Sequence, residues 1–180
     1  MKYLLILTLC VCIRAVAVAQ VRLPNNEAGQ VQYQEIIKVP NPKTPARQLM
    51  EQFHEWADAY YASDPTAEQQ YDQEHNILFV KSMYKMNEQR IRYTLTLEAK
   101  YGRYRATLTD LIAESNGLNT PIRATSTTVS EMEHSAAGKT TTRKVIEQTV
   151  QQQTELYQEI DKACRETLAS LREAMLTEKK

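Results

Sequence analysis

Alternating hydrophobic and polar positions predict the first strand, and a change to helical spacing predicts the first helix. Residues 31–39 (VQYQEIIKV) place hydrophobic side chains on one side of a two-residue period, as in a half-buried strand. Prolines end the strand, and Thr44 is expected to cap a helix with Pro45 at its first position. Hydrophobic residues then follow at spacings of four, three and four, which is one face of a helix that ends near residue 61. They are Leu49, Phe53, Trp56 and Tyr60.

Two strictly alternating segments, 90–100 and 103–112, predict an antiparallel hairpin that turns at Tyr101-Gly102. With this turn, polar residues face polar residues on one side, hydrophobic residues face each other on the other side, and a one-residue slip would destroy the sorting. Tyr93 opposite Asp110 is the mixed pair. The predicted pairs are Glu98–Arg105, Thr96–Thr107 and Thr94–Thr109 on the polar side, and Ala99–Tyr104, Leu97–Ala106, Leu95–Leu108 and Ile91–Ile112 on the hydrophobic side.

The remaining segments complete an α+β order. Residues 77–83 (ILFVKSM) predict a strand that follows a polar linker at 64–76. Residues 113–142 are rich in Ser, Thr, Asn and Gly and predict a flexible segment, within which residues 121–129 are the candidate for a short edge strand. The predicted core, residues 31–112, and the last helix give the order β-α-β-β-β(-β)-α, with an antiparallel sheet of about four or five strands packed against helices.

A long helix is predicted from Arg143 to about Thr177, because this segment contains neither Gly nor Pro and its hydrophobic residues recur at helical spacing. Two helices with a bend at glutamines 151–153 are the alternative. A continuous helix would be about 50 Å long, whereas a ten-residue strand spans about 33 Å, so the helix cannot lie wholly on the sheet. Its first half is expected to project or to be covered by another chain. The candidate residues for that contact are Ile146, Val150, Leu156 and Ile160.

Residues 1–19 have the parts of a secretory signal peptide. Lys2 precedes an uncharged, mainly hydrophobic run over residues 3–13, and residues 17–19 (AVA) form a small-residue cleavage pattern. The run is too short to span a bilayer as a stable helix. We therefore expect export to the periplasm or cell surface, with a polar leader at 20–30 and no membrane span after cleavage. A retained N-terminal anchor is the alternative.

Composition restricts the class of protein further. The chain of 180 residues has 22 Lys plus Arg and 22 Asp plus Glu, and 42% of its residues are hydrophobic. It can therefore build a core, and its charge gives no reason to expect nucleic acid as a partner.

Cleavage after residue 19 would leave Cys164 without a second cysteine. The helical pattern favours Cys164 as a small buried residue over an intermolecular disulfide or a catalytic thiol.

The chain contains no phosphate-binding glycine loop, zinc-protease motif, nucleophile elbow or dithiol motif. His54 and Asp58 lie four residues apart on the first predicted helix and could meet on one face. Two ligands do not make a metal site, and a solvated helix face is the simpler interpretation. The sequence thus predicts no catalytic residue, no metal and no cofactor, and we expect that the protein is not an enzyme.

Charge and tyrosine positions suggest binding surfaces. Residues 51–76 contain acidic residues and neither Lys nor Arg, whereas residues 81–105 are predominantly basic. The basic hairpin could bind an anionic ligand or a complementary surface of a second copy, although a solvated polar face is the simpler interpretation. Tyrosines on the predicted core faces could rim a cavity for an amphipathic ligand or serve as core residues. They are Tyr33, Tyr60, Tyr93 and Tyr104.

Several of these segments resemble the domain of unknown function 4468 family, secreted Bacteroidota proteins with a TBP-like fold. The resemblance covers roughly residues 29–112 and includes GQVQYQEIIKVP, the helix with Trp56, and IRYTLTLEAKYGRYRATLTDLI. Its most specific part is GRYRATLTD at 102–110; members often have Asp before that glycine, where this chain has Tyr101. The resemblance implies a TBP-like, helix-grip-like sheet with the last helix packed on it. It assigns no catalytic residue, and the fold alone does not imply DNA binding.

Two functions are predicted from these observations. The first is a non-enzymatic exported binding or interaction module of the bacterial cell envelope, with a protein partner or self-association through the long helix. The alternative is a binder of a small apolar or amphipathic ligand held between sheet and helix. The candidate cavity residues are Trp56, Tyr93, Leu95, Leu97 and Tyr104.

Overall fold

A computed structural model describes residues 20–86, 89–115, 117–137 and 142–177; the predicted signal peptide lies outside these residues. The described chain forms a six-stranded antiparallel sheet in the order β1-β5-β4-β3-β2, with β6 paired to the far end of β5. This confirms the α+β class and the antiparallel sheet. The elements are β1 (Tyr33–Lys38), α1 (Ala46–Tyr60), β2 (Glu68–Asp72), β3 (Ile77–Met86), β4 (Gln89–Lys100), β5 (Arg103–Ser115), β6 (Leu118–Pro121), α2 (Val129–Ser135) and α3 (Arg143–Leu176).

The β4–β5 hairpin has the predicted register from Lys100–Arg103 to Thr94–Thr109. Beyond these pairs the register shifts by one residue, so that Tyr93 faces both Asp110 and Leu111. This β-bulge makes the predicted Tyr93–Asp110 and Ile91–Ile112 pairs wrong: Ile91 pairs with Ala113 instead. Without the bulge, an ordinary Tyr93–Asp110 pair would have directed the Asp110 carboxylate into the core. In the bulge Asp110 adopts a φ of 56° and is exposed, and Leu111 is buried in its place.

Helix α1 begins one residue later than predicted, with Pro45 rather than Thr44 at the N-cap position. The Thr44 side chain does not cap the helix, because its hydroxyl donates to the backbone oxygen of Asn41 at 2.8 Å. The buried face contains Leu49, Phe53 and Trp56 as predicted, but Tyr60 is 40% exposed. Tyr61 leaves the helical conformation and is buried where Tyr60 was expected.

Helix α3 is continuous over 34 residues. Its second half packs on α1 and the sheet and buries Ile160, Cys164 and Leu168. Its first half does not project freely, because α2 packs on α3 and the contacts of Arg143 with Glu133 and of the Thr127 amide with Gln153 lie in that half. Helix α2 begins with a capping box in which Thr128 and Glu131 exchange hydrogen bonds, a local signal that was present in the sequence.

Polar segments predicted as linker or leader contribute ordered edge structure. β2 lies within the predicted linker 64–76, and β6 pairs with β5 at residues 118–121 rather than at 121–129. Residues of the polar leader bridge to the segment after β6, where the Leu23 amide donates to the Ala124 oxygen at 2.7 Å. Leu23 is fully buried. These strands lie at edges and have few buried side chains, so hydrophobic alternation could not reveal them.

Gly102 is expected to be required at the hairpin turn. It has a φ of 69°, and a Cβ added to it would lie 2.4 Å from the backbone oxygen of Pro42. Gly102→Ala should therefore lower the free energy of unfolding by about 2–5 kcal/mol, from backbone strain plus overpacking. Gly29 is a matched control, since it has a φ of 77° and nothing within 4 Å of an added Cβ.

In urea titrations, Gly29→Ala should lose about 1–2 kcal/mol, which is the backbone cost alone. Equal losses in the two variants would show that the approach of Gly102 to Pro42 is not a constraint on the fold.

Candidate functional site

A cleft of about 410 Å³ opens where β3 ends and β4 begins, beside the C-terminal end of α1 and the middle of α3. Four tyrosines form much of its wall, and we call it the tyrosine cleft. Sulfur-containing and polar side chains complete the lining. The lining includes Tyr60, Tyr61, Tyr84, Tyr93, Asp64, Ser82, Met83, Lys85 and Met86.

Two of the tyrosines come from the sheet. Ser82 and Tyr84 follow Val80 on the side of β3 that faces the helices, because side chains two residues apart share a face. Tyr93 on β4 pairs with Ser82 on β3, and it lies opposite the bulge in β5. The Tyr84 and Tyr93 rings stack with their centroids 4.3 Å apart. The bulge and the end of β3 thus form one aromatic wall of the cleft.

The other two tyrosines come from the end of α1. Tyr60 and Tyr61 lie edge to face with ring centroids 4.9 Å apart, and Tyr60 stacks on Trp56 at 5.0 Å. The Tyr93 hydroxyl donates to the Tyr61 hydroxyl oxygen at 3.1 Å, which joins this wall to the sheet. Tyr60 is the more exposed of the pair and forms the outer part of the wall.

Thr167 connects the cleft to α3. Its hydroxyl donates to the backbone oxygen of Ala163 at 3.0 Å. Because that bond uses its proton, Thr167 accepts from the Tyr60 hydroxyl at 3.0 Å and from the Tyr84 hydroxyl at 2.9 Å. One buried hydroxyl therefore holds α1, β3 and α3 together behind the cleft.

A carboxylate stands at the polar side of the cleft. Asp64 accepts from the Ser82 hydroxyl at 2.6 Å and from both the amide and the hydroxyl of Thr66. Partial burial alone would raise the pKa of Asp64, but these hydrogen bonds outweigh it and hold the pKa below the usual value. Burial raises the pKa values of Tyr61 and Tyr84. At neutral pH the cleft therefore presents an ionised acceptor and protonated hydroxyls.

Tyr93 is the one predicted cavity residue that lines the tyrosine cleft. Leu95 and Leu97 are fully buried in the core, and Tyr104 packs edge to face on Phe53 at 5.5 Å. Trp56 lies behind Tyr60 in the cleft wall, and its indole N–H donates to Ser170 at 3.2 Å. These four residues support the core and line neither cavity described here.

The predicted contact residues of α3 lie mostly inside the protein. Ile146, Val150 and Ile160 are buried in the folded chain, and Ile160 belongs to the main core. Leu156 is partly exposed and lines a second cavity of about 1030 Å³ between β5, β6 and α3. Leu118, which is 72% exposed, lies in the same cavity.

Four of the lining residues that were not among the predicted site residues form much of the aromatic wall and the polar side: Tyr61, Asp64, Ser82 and Tyr84. The two-residue period of β3 places Ser82 on the core face within the predicted strand 77–83, and extending that strand to Met86 would have placed Tyr84 there as well. Asp64 lay in the predicted polar linker 64–76. No pattern distinguished Tyr61 from Tyr60, because the choice depends on where α1 ends.

Neither metal binding nor membrane spanning is indicated by the described residues. His54 packs edge to face on Tyr71 at 5.1 Å, and Asp58 accepts from the side chain of Gln69 at 3.1 Å. Within the described ranges, no group of three or more His, Cys, Asp or Glu side chains could hold a metal ion. In the same part of the chain, no helix is long and apolar enough to cross a membrane.

Comparison with solved structures identifies the fold as TBP-like. A TBP-like protein from Parabacteroides distasonis is 13% identical and superposes with a TM-score of 0.52, over 82% of this chain and 96% of its own. A DUF4468 family protein from Bacteroides ovatus is 10% identical, with a TM-score of 0.51 over 87% of this chain and 91% of its own. The TBP-like fold implied by the sequence resemblance is confirmed. No protein-family model and no curated protein matches the chain.

Cys164 is expected to be unreactive in the folded protein. Burial raises the pKa of its thiol to about 12, and the side chain is fully buried. At pH 8 this leaves roughly one thiolate in ten thousand, so alkylation should be about a thousandfold slower than for an exposed cysteine. The measurement is iodoacetamide labelling, followed by mass spectrometry of the peptide that contains Cys164. Similar rates before and after unfolding in urea would contradict the buried position.

Proposed function

We propose that the protein is a non-enzymatic, exported binding protein and that the tyrosine cleft holds a small amphipathic molecule. The observation on which this proposal rests is the cleft itself, an open space between sheet and helices with aromatic walls and a polar side. Its volume of about 410 Å³ is within the usual range of small-ligand sites.

The cleft lining matches a ligand with one apolar part and one polar part. Tyrosine rings and the side chains of Met83 and Met86 offer apolar, polarisable contact to the body of a ligand. Asp64 and Lys85 line the same cleft and offer an acceptor and a cation to its polar end. Because the cleft opens between β3 and α1, the ligand can enter without separating the core.

The side chains that line the cleft are better suited to binding a ligand than to catalysis. Among the described residues, the lining contains neither histidine nor cysteine. The shifted pKa values of Asp64, Tyr61 and Tyr84 move away from neutrality, so these groups are poorly suited to exchange protons with a substrate near pH 7. The hydrogen bonds of Asp64 instead fix its position.

Export and family membership are parts of the proposal. Residues 1–19 supply the expected signal peptide, and the TBP-like fold supports the resemblance to the domain of unknown function 4468 family.

A second candidate function is contact with a protein partner or a second copy at the second cavity. It is favoured by the exposure of Leu118 beside Leu156.

Native mass spectrometry tests the proposal on protein purified without denaturation from bacteria that produce the complete chain. We expect a monomer with a reproducible added mass. Tyr60→Ala should lose that mass, because it removes the outer aromatic wall while the half-exposed position limits any loss of stability. Tyr101→Ala is the matched control, since Tyr101 is 66% exposed and lies outside the cleft.

A bare monomer in every preparation, or an added mass that survives Tyr60→Ala, would contradict binding in the tyrosine cleft. A bare dimer that Leu118→Ser converts to monomer would favour the second candidate function instead.

A further inference from the structure

The hairpin turn at the opposite end of β4 from the tyrosine cleft carries an exposed row of cations. Lys38 on β1 is the register partner of Arg103 on β5, which is in turn the register partner of Lys100 on β4. All three side chains are exposed on the sheet. Three adjacent strands therefore place like charges directly beside one another, an arrangement that destabilises strand pairing.

No ion pair found within the described ranges neutralises this row. The next row of the sheet contains Arg105 and Glu98, which bind each other at 2.7 Å. Lys38, Lys100 and Arg103 have no carboxylate partner within 4.0 Å among the described residues. The repulsion in the row is thus left without an internal counter-charge.

The loop between β1 and α1 adds a fourth cation and is fixed against the turn. The Gly102 amide donates to the Thr44 oxygen at 2.9 Å, and the Val39 amide donates to the Gly102 oxygen at 3.1 Å. Lys43 lies in this loop and is exposed, and it too has no partner among the ion pairs of the described chain. Tyr101, at the turn, is 66% exposed. We call Lys38, Lys43, Lys100, Tyr101 and Arg103 the basic tip.

We propose that the basic tip docks on the surface of an anionic lipid bilayer. Lys and Arg beside an exposed aromatic side chain are the combination that anchors proteins at membrane–water interfaces, where the cations meet lipid phosphates and the aromatic ring enters the headgroup region. Lysine, which supplies three of the four cations, is instead depleted from protein–protein interfaces. Neither the tyrosine cleft nor the second cavity includes a residue of the tip.

Docking through the tip leaves the tyrosine cleft open. Tyr93 and Lys100 are seven residues apart on β4, which corresponds to about 23 Å along the strand. This distance is more than twice the Debye length of about 8 Å at physiological salt, so the two sites do not share one electrostatic field. Membrane docking and ligand binding can therefore be tested independently of each other.

The test is co-flotation of the complete protein with vesicles of phosphatidylglycerol mixed with phosphatidylcholine, compared with vesicles of phosphatidylcholine alone. Binding should require phosphatidylglycerol. The Lys100→Gln, Arg103→Gln double variant should bind about 25-fold more weakly, from about fivefold per cation. The matched control is the Lys144→Gln, Lys162→Gln double variant on α3, which has the same net charge and should bind almost as the parent does.

Every variant carries the same N-terminus. Any contribution of the hydrophobic residues 3–13 to vesicle binding therefore cancels when the affinity of a variant is divided by that of the parent protein. Circular dichroism establishes that each variant is folded, and Lys38→Gln with Lys43→Gln replaces the first pair if that pair does not fold. Tyr101→Ala should also weaken vesicle binding but leave binding to soluble polyphosphate unchanged. Binding to polyphosphate without binding to vesicles, or equal losses in the tip variant and the α3 control, would overturn the proposal.

Discussion

β5 pairs with β4 along one edge and with both β1 and β6 along the other, and the bulge at Asp110-Leu111 lies between the segments that pair with β1 and with β6. Before the bulge, residues 103–108 pair with β1; after it, residues 112–115 pair with β6. The extra residue turns a carboxylate to solvent and puts Leu111 into the core. Because bulges also re-aim neighbouring side chains, the same feature sets the place where Tyr93 meets Tyr84.

The tyrosine cleft depends on this geometry and on one threonine. Tyr84 and Tyr60 come from different elements, yet both hydroxyls bind Thr167 on α3. The cleft is therefore preorganised by hydrogen bonds that lie behind it, which leaves ring edges and faces to contact a ligand. The long helix contributes by its second half, while α2 packs on the helix and the Thr127 amide donates to Gln153 in its first half.

The strands and helices that could be predicted from the sequence are those with one buried face and one solvent-exposed face. The hairpin register from Thr94 to Lys100 followed from side-chain sorting, and it holds until a mixed pair forces the bulge. Polar edge strands such as β2 gave no such signal. The candidate site was only partly predictable, because a core-facing tyrosine such as Tyr104 and a cleft-lining tyrosine such as Tyr84 share one pattern. Only the end of each element decides which of them meets open space.

If the tyrosine cleft is the ligand site, indole should bind there, and chemical-shift mapping of the labelled protein tests this. Indole combines an aromatic body with one polar N–H group, as the cleft lining requires. In amide correlation spectra we expect saturable shifts confined to residues 60–64, 82–86, the region of Tyr93, and α3 near Thr167. Saturable shifts centred instead on Leu118 and Leu156, or no saturable shifts at all, would contradict it.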